Sequence, residues 1–564
     1  MENYMSDLFA KVKGKPVQKD EKKVEESLVK EDVKVKESLS AKQSESFDVP
    51  FVKPKSVVDS VLSSDSSVEV DEQDSEYLKK LADSEKELIE VTPHGKIYRV
   101  SGKSLLYYWA PVSRPIGAER AIINTIKEAA TRIITISPYK IRDPEERRNV
   151  YFQKILEIIR ESPELRIPAN KQEFYAEVVV REMVGYGLID TLIKDELLEE
   201  IMVIGPHVPV YVFHRKYGMM ITNIEFYGDN EIQDLINRMA RTVGRRVDLA
   251  MPLLDARLPD GSRVNATIPP ASVDGSTLTI RKFRKDPYSI VDLINFGTLS
   301  TEVAAFLWLC VEGLKAKPAN LLISGGTGSG KTTLLNVLAS FIPETERVVS
   351  IEDTAELKLP LEHWVRLEAR PPGLEGTGEI TLDILTKNSL RMRPDRILVG
   401  EIRHAEAFAL FTAMNTGHEG CMGTVHANSP QETLIRVMSP PMNVPEVMLA
   451  GLNFVVIEHR LHDKKVGAIR RITEIAEVYG ALEGKPTTET IYKRDASSDT
   501  LIRTKSHIQY LKVLEERTGL SQDQIAKELK RREVFLRELV AKKESNMDEV
   551  SRQMKEFLMR SEHG

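Results

Sequence analysis

The chain has 564 residues, of which 41% are hydrophobic and 29% charged, the composition of a globular protein with room for several cores and not of a fibrous or wholly disordered one. Its net charge of −6 supplies no global basic field for a nucleic acid backbone, so no nucleic-acid partner is expected. Cys310 and Cys421 are too few for a disulfide framework or a four-cysteine zinc module, and they read as buried small hydrophobes of a reducing cytosol.

Residues 1–15 mix acids and lysines without an apolar run, so no secretory signal is expected there, and the most apolar stretch, 303–311, is too short to span a bilayer. The expectation is a cytoplasmic protein, peripheral at the inner face of the cell membrane, whose membrane contact comes through partners. Residues 1–84, rich in Lys, Glu, Asp, Ser and Val, read as a disordered charged tail. At its tip Tyr4, Leu8 and Val12 recur at helical spacing, which fits either a short docking helix or a frayed start.

Residues 85–286 read as an α+β domain. Strand-like runs at 97–100 and 105–109 give way to amphipathic helices at 151–161 and 173–184, and alternation returns at 201–204, 210–213 and 278–280. A connector, 287–300, begins in the turn-rich run Lys285-Asp286-Pro287-Tyr288-Ser289. Over 301–480 the apolar runs 321–323, 348–351, 397–399 and 454–457 alternate with helical stretches, as in a parallel α/β sheet, and a nucleotide is expected at the carboxyl ends of those strands. Residues 481–564 carry short strand-like pieces and then a mostly helical appendage, in which Ile525, Leu529, Leu536, Leu539 and Val540 mark amphipathic helices. A DNA-reading helix-turn-helix over 520–539 is the alternative there, with no strongly basic face to favour it.

The chemistry begins where the run Leu321-Leu322-Ile323-Ser324 meets Gly325-Gly326-Thr327-Gly328-Ser329-Gly330-Lys331-Thr332-Thr333. This is G-x-x-x-x-G-K-T after a strand and before a helix, the phosphate-binding loop. Its glycines let backbone N–H groups converge on phosphate oxygens, Lys331 supplies charge for the β and γ phosphates, and the Thr332 hydroxyl can ligate Mg²⁺. The helix that starts at Lys331 aims its positive end at the same anion. Two acidic strand ends follow, Glu352-Asp353 after 348–351 and Glu401 after 396–399. Hydrolysis needs a metal, a carboxylate to orient water and cations to hold developing charge, posts that Thr332, Glu352, Glu401 and nearby arginines can fill. The usual metal-holding Asp is replaced by Gly400, so Glu352 or Asp353 must share that work unless the pair only caps the next segment. His418 and His426, in a glycine-rich segment with no zinc-ligand set beside them, read as a sensor able to hydrogen-bond toward the γ phosphate or as structural histidines.

In that order, the phosphate loop, the acidic box 349–353, the Gly400-Glu401 strand and the two-histidine box 416–429 resemble the type II/IV secretion ATPase superfamily. The run Gly185-Tyr186-Gly187-Leu188-Ile189-Asp190 and the stretch 255–266 support the same resemblance. Lacking the four-cysteine zinc insert of bacterial assembly ATPases, the chain is most similar to the archaeal branch that powers the archaellum or type IV pilus assembly. The resemblance implies a RecA-like P-loop NTPase core preceded by an α+β N-terminal domain, with a small helical C-terminal appendage. It implies a homohexamer with ATP and Mg²⁺ bound between the two domains, acting on a polytopic membrane platform protein and, in an archaellum, beside a second cytoplasmic regulatory ATPase-like protein. By motif match Glu352 is the acidic-box carboxylate, Glu401 the catalytic Glu, and His418 and His426 the histidine-box residues, while Arg263, Arg281 and Arg257 are the candidates for N-domain arginines brought to the phosphates. Relatives of this core fold include nucleic-acid translocases, which stay open as a second reading, as does a nucleotide-binding scaffold that does not turn over.

Overall fold

The computed structural model describes residues 84–560, apart from 113–114, 116, 135–140, 142, 285, 373–376, 464–466 and 483–484. The charged tail and its candidate docking helix therefore lie outside the described residues. Among the described residues, eighteen strands form two nine-stranded sheets.

The first sheet contains β1 (Lys86–Thr92), β2 (Gly95–Val100), β3 (Leu106–Trp109), β4 (Leu198–Val203), β5 (Pro209–His214), β6 (Gly218–Glu225), β7 (Leu253–Arg257), β8 (Arg263–Thr267) and β9 (Thr277–Arg281), in the order β1-β2-β3-β6-β5-β4-β9-β8-β7. Every pairing is antiparallel except β3 with β6. Strict alternation in β5, whose Val210, Val212 and His214 are buried, sends one face to a core closed by helix Asp229–Thr242 through Ile232, Leu235, Ile236 and Met239. Helices Gly117–Ile133, Pro144–Glu161 and Gln172–Met183 build a separate apolar cluster around Ile126, Ile155 and Val179. The helix expected at 151–161 lies within the second of these, and the one expected at 173–184 coincides with the third except for its last residue, Val184.

The second sheet contains β10 (Leu321–Ser324), β11 (Val348–Glu352), β12 (Trp364–Glu368), β13 (Arg396–Val399), β14 (Met422–Val425), β15 (Phe454–Asp463), β16 (Gly467–Leu482), β17 (Lys485–Asp495) and β18 (Thr500–Arg503), in the order β12-β11-β13-β14-β10-β15-β16-β17-β18. Six strands, β12 to β15 in that order, are parallel, and the last three continue antiparallel. The parallel strands β10, β11, β13 and β14 are buried at every residue, which is why they read as unbroken apolar runs. This is the RecA-like core, with β14 lying between the phosphate-loop strand β10 and the acidic strand β13.

Two features depart from the expected layout. The strand-like pieces expected after residue 480 are β17 and β18, but the long strand β16, from Gly467 to Leu482, was not among the expected runs; it pairs β15 on one side and β17 on the other and carries the nucleotide-side sheet onward. Charged residues on its exposed positions, such as Arg470, mask the strand pattern. The helices Gln509–Thr518, Gln522–Lys542 and Met547–Arg560 also contribute Leu514, Ile525, Leu536, Leu539 and Val550 to the same core as β10 and helix Lys331–Ala339. Helix Thr301–Glu312 is buried over ten of its twelve residues, because the sheet covers one side and helix Gln522–Lys542 the other. The Trp308 ring stacks on Phe341 and meets Phe535 and Phe557 at a tilt, all with ring centroids within 6.0 Å, and the buried Arg532 meets the buried Glu312 at 2.5 Å.

Candidate functional site

The phosphate loop leaves β10 at Ser324 and ends in helix Lys331–Ala339. Gly328 (φ 71°) and Gly330 (φ 114°) sit in the left-handed region, which a side chain would strain. That backbone leaves the first helical N–H groups free to point out of the carboxyl edge of the sheet. Lys331 is 7% exposed, and its Nζ donates to the Gly326 carbonyl at 2.8 Å. Burial holds its ammonium below the usual lysine range, against the pull of Glu401 and Glu458.

The two acidic strand ends meet beside this loop. Ile351 pairs with Val399, and the Gly400 N–H donates to the Ile351 carbonyl at 2.9 Å, so Glu352 and Gly400 are neighbours. A Cβ on Gly400 would stand 2.9 Å from Glu352 Cγ. The missing side chain at the usual aspartate position is thus what admits Glu352. Its Oε2 accepts hydrogen bonds from the N–H groups of Glu356 (2.7 Å) and Leu357 (2.9 Å), while Oε1 is buried without a partner. The two readings of this acid therefore each describe one of its oxygens, a cap on the following segment and a free acceptor. Burial pushes the carboxyl up to about 7, the two amide donors working against it.

Glu401 is half-buried beside Lys331. Burial raises its carboxyl, but Arg403, whose Nη2 donates to Oε2 at 2.5 Å, with His426 and Lys331, brings it below the usual range. His426 Nε2 lies 2.8 Å from Glu401 Oε1 without making a hydrogen bond to it. Burial, and then Lys331, keep His426 below the usual histidine range, so it is neutral at pH 7. His418 is not brought to this cluster. It precedes β14 at the amino end of the sheet, a strand's length of roughly 13 Å from the phosphate-loop edge, with its Nδ1 buried and unpaired. A sensor role toward the γ phosphate does not fit that place within one chain.

The three arginines form a row. Arg257 is the register partner of Arg263, and Arg263 of Arg281, across β7, β8 and β9, so their side chains share one face. Like charges directly opposite each other destabilise a sheet unless anions offset them. Asp255 does so for Arg263, accepting from Nε at 3.2 Å and Nη2 at 3.0 Å. Glu368, at the end of β12, does so for Arg257 at 3.2 Å. Arg263 also feels the charges of Glu356 and Asp353, and Arg281 is close enough to depress Lys331. The Arg281 guanidinium has no partner among the described residues. Residues Glu458, Arg460 and Arg470 also border the loop: Arg470 Nε donates to the Gly328 carbonyl at 3.1 Å, and the Arg460 guanidinium lies 3.7 Å from where a Gly328 Cβ would be. Sequence patterning gave no sign of these three, because only the placement of β15 beside β10, and of β16 beside β15, brings them there.

A family model described as Type II/IV secretion system protein matches residues 182–552. The chain belongs to that family. An uncharacterized protein of Methanocaldococcus jannaschii is 55% identical over 239 residues, 42% of this chain and 33% of that one, so the chain spans about a third of that relative's length. A putative conjugal transfer protein of Mycobacterium tuberculosis is 35% identical over 327 residues, covering 56% of this chain and 91% of that one. Among solved structures, the VirB11 ATPase of the Brucella suis type IV secretion system in complex with sulphate is 26% identical, with 50% of this chain and 90% of that one covered and a TM-score of 0.26. No described helix is long and apolar enough to cross a membrane.

Proposed function

We propose that the chain is an ATP-hydrolysing motor subunit of a homohexamer that powers assembly or rotation of an archaellum or a related type IV pilus-like filament. The observation that carries this reading is the facing of two charge sets. The row Arg257, Arg263 and Arg281 is on the first sheet, and Lys331, Glu352, Glu401 and His426 border the phosphate loop on the second. A magnesium nucleotide fits the unsatisfied groups between them: the free Oε1 of Glu352, the Oε1 of Glu401 and the unpartnered Arg281. Thr332, Glu352 and Glu401 would hold Mg²⁺. The ion, when bound, would neutralise phosphate charge as the terminal phosphoryl group departs.

This chain's own groups then have distinct tasks. Lys331 and the loop N–H groups bind the phosphates, Glu401 orients the attacking water, and Arg263 and Arg281 place positive charge where negative charge develops. Residues 85–286 and 301–480 are read as two bodies that open and close around the nucleotide, passing motion to a polytopic membrane platform protein at the cytoplasmic face of the membrane. In an archaellum a regulatory ATPase-like protein would complete the assembly. The name of the mycobacterial relative favours a second reading, transfer of nucleic acid through a secretion channel. Turnover stimulated severalfold by single-stranded DNA would select it.

The test separates binding from turnover. Lys331→Ala is expected to lose nucleotide affinity at least tenfold, whereas Glu401→Gln keeps ATP binding and loses turnover by about a hundredfold or more. Equal loss of binding in both would defeat the division of roles.

A further inference from the structure

Where β10 gives way to the phosphate loop, its neighbour β15 carries an acid that the roles above do not use. Ser324 pairs with Ile457, so Glu458 is the next residue out, and the register between β15 and β16 shifts at Ile457/Glu458. Glu458 is 2% exposed and its Oε2 has no hydrogen-bond partner. The buried hydroxyl of Ser329 is likewise unpartnered. Each lies against a glycine of the loop. A Cβ on Gly330 would lie 2.5 Å from Glu458 Oε1, and one on Gly325 would lie 2.0 Å from the Glu458 carbonyl oxygen and 2.6 Å from Ser329 Oγ. Two glycines of the loop are therefore required by what lies against it as much as by a phosphate.

A carboxyl buried without a hydrogen-bond partner is costly to ionise. Burial pushes the Glu458 carboxyl up to about 8, with Arg470 of β16 and Lys331 of the loop helix, the charged groups that face it, pulling the other way. At pH 7 the group is mostly neutral.

We propose that Glu458 is a positioning residue of the nucleotide site, a buried carboxyl that packs against the phosphate loop from behind while neutral and, once ionised, opposes phosphate binding on the other side. The proposal rests on the nucleotide reading of the loop and assigns that site a proton linkage. It is tested by calorimetric titration of the full chain with magnesium ADP between pH 6.5 and 9, for the wild type and for Glu458→Gln, which keeps the shape but cannot ionise. The two proteins should bind within about twofold of each other at pH 7, and the wild type should lose about tenfold relative to the variant by pH 9. At pH 8 the wild type should also take up a fraction of a proton on binding, read as a heat that depends on the buffer.

Superimposable pH profiles, or no proton uptake by the wild type, overturn the proposal. So does tenfold weaker binding by a natively folded Glu458→Gln at pH 7, which would mean that the ionised form is the one required. Absence of ADP binding by both proteins at every pH defeats the nucleotide reading itself, and this proposal with it.

Discussion

Glu352 and Gly400 show how one residue's identity sets another's. The acid can sit against the end of β13 only because position 400 has no side chain, with 2.9 Å between Glu352 Cγ and the place a Cβ would take. Its folded-state carboxyl, at about 7, binds a proton that the unfolded chain has released by pH 5 to 6. Stability contributed by that proton is present below the unfolded value near 4.5 and is lost as pH rises through 7. Glu352→Gln should therefore gain on the wild type between pH 5 and 8, by a few kcal/mol at most, measured as the difference in urea unfolding midpoints. Parallel stability curves would show that the carboxyl is not held in the raised state. Glu352 was visible in the sequence as the acid closing a β-branched run. Glu458 was not, since an acid after Phe454-Val455-Val456-Ile457 acquires meaning only when β15 is known to lie beside β10.

At the scale of elements, the hairpin of β7 and β8 with its neighbour β9 turns three arginines scattered over 257–281 into one row. The row has two paired members and one free one, which separates stability from activity. Arg281→Ala should leave the melting temperature unchanged or slightly raised, because a like-charge neighbour is removed and no ion pair is lost. It should lower kcat at least tenfold with little change in KM, the pattern of an interaction made in the transition state. Unchanged kcat would remove Arg281 from the site. Arg263→Ala should likewise cut turnover more than affinity, with a further small loss of stability from freeing Asp255. The arginines were legible as candidates, but their alignment was not, because register depends on the loop between β8 and β9. Continuous apolar runs made β10, β11, β13 and β15 legible. The long strand β16 was not, since Arg470, Arg471, Glu474 and Glu477 interrupt its apolar pattern.

For the molecule as a whole, the last helices are part of the nucleotide-side core and not an attachment to it. The Arg532–Glu312 pair, 2% and 3% exposed, joins helix Gln522–Lys542 to helix Thr301–Glu312 across 220 positions of sequence. Arg532→Met alone leaves a buried carboxylate unpaired and should cost about 3 to 5 kcal/mol. Adding Glu312→Leu should restore most of that loss in chemical unfolding. Failure of the second change to restore stability would mean that Arg532 acts through its packing on Trp308 and not through its charge. The same long-range closure has a consequence during synthesis. At roughly 5 to 20 residues per second, Arg532 leaves the ribosome about ten to forty seconds after Glu312. During that interval helix Thr301–Glu312 gains first the strands β10 to β18 and only then helix Gln522–Lys542, so the phosphate loop's own supporting layer is completed by chain made 220 positions later.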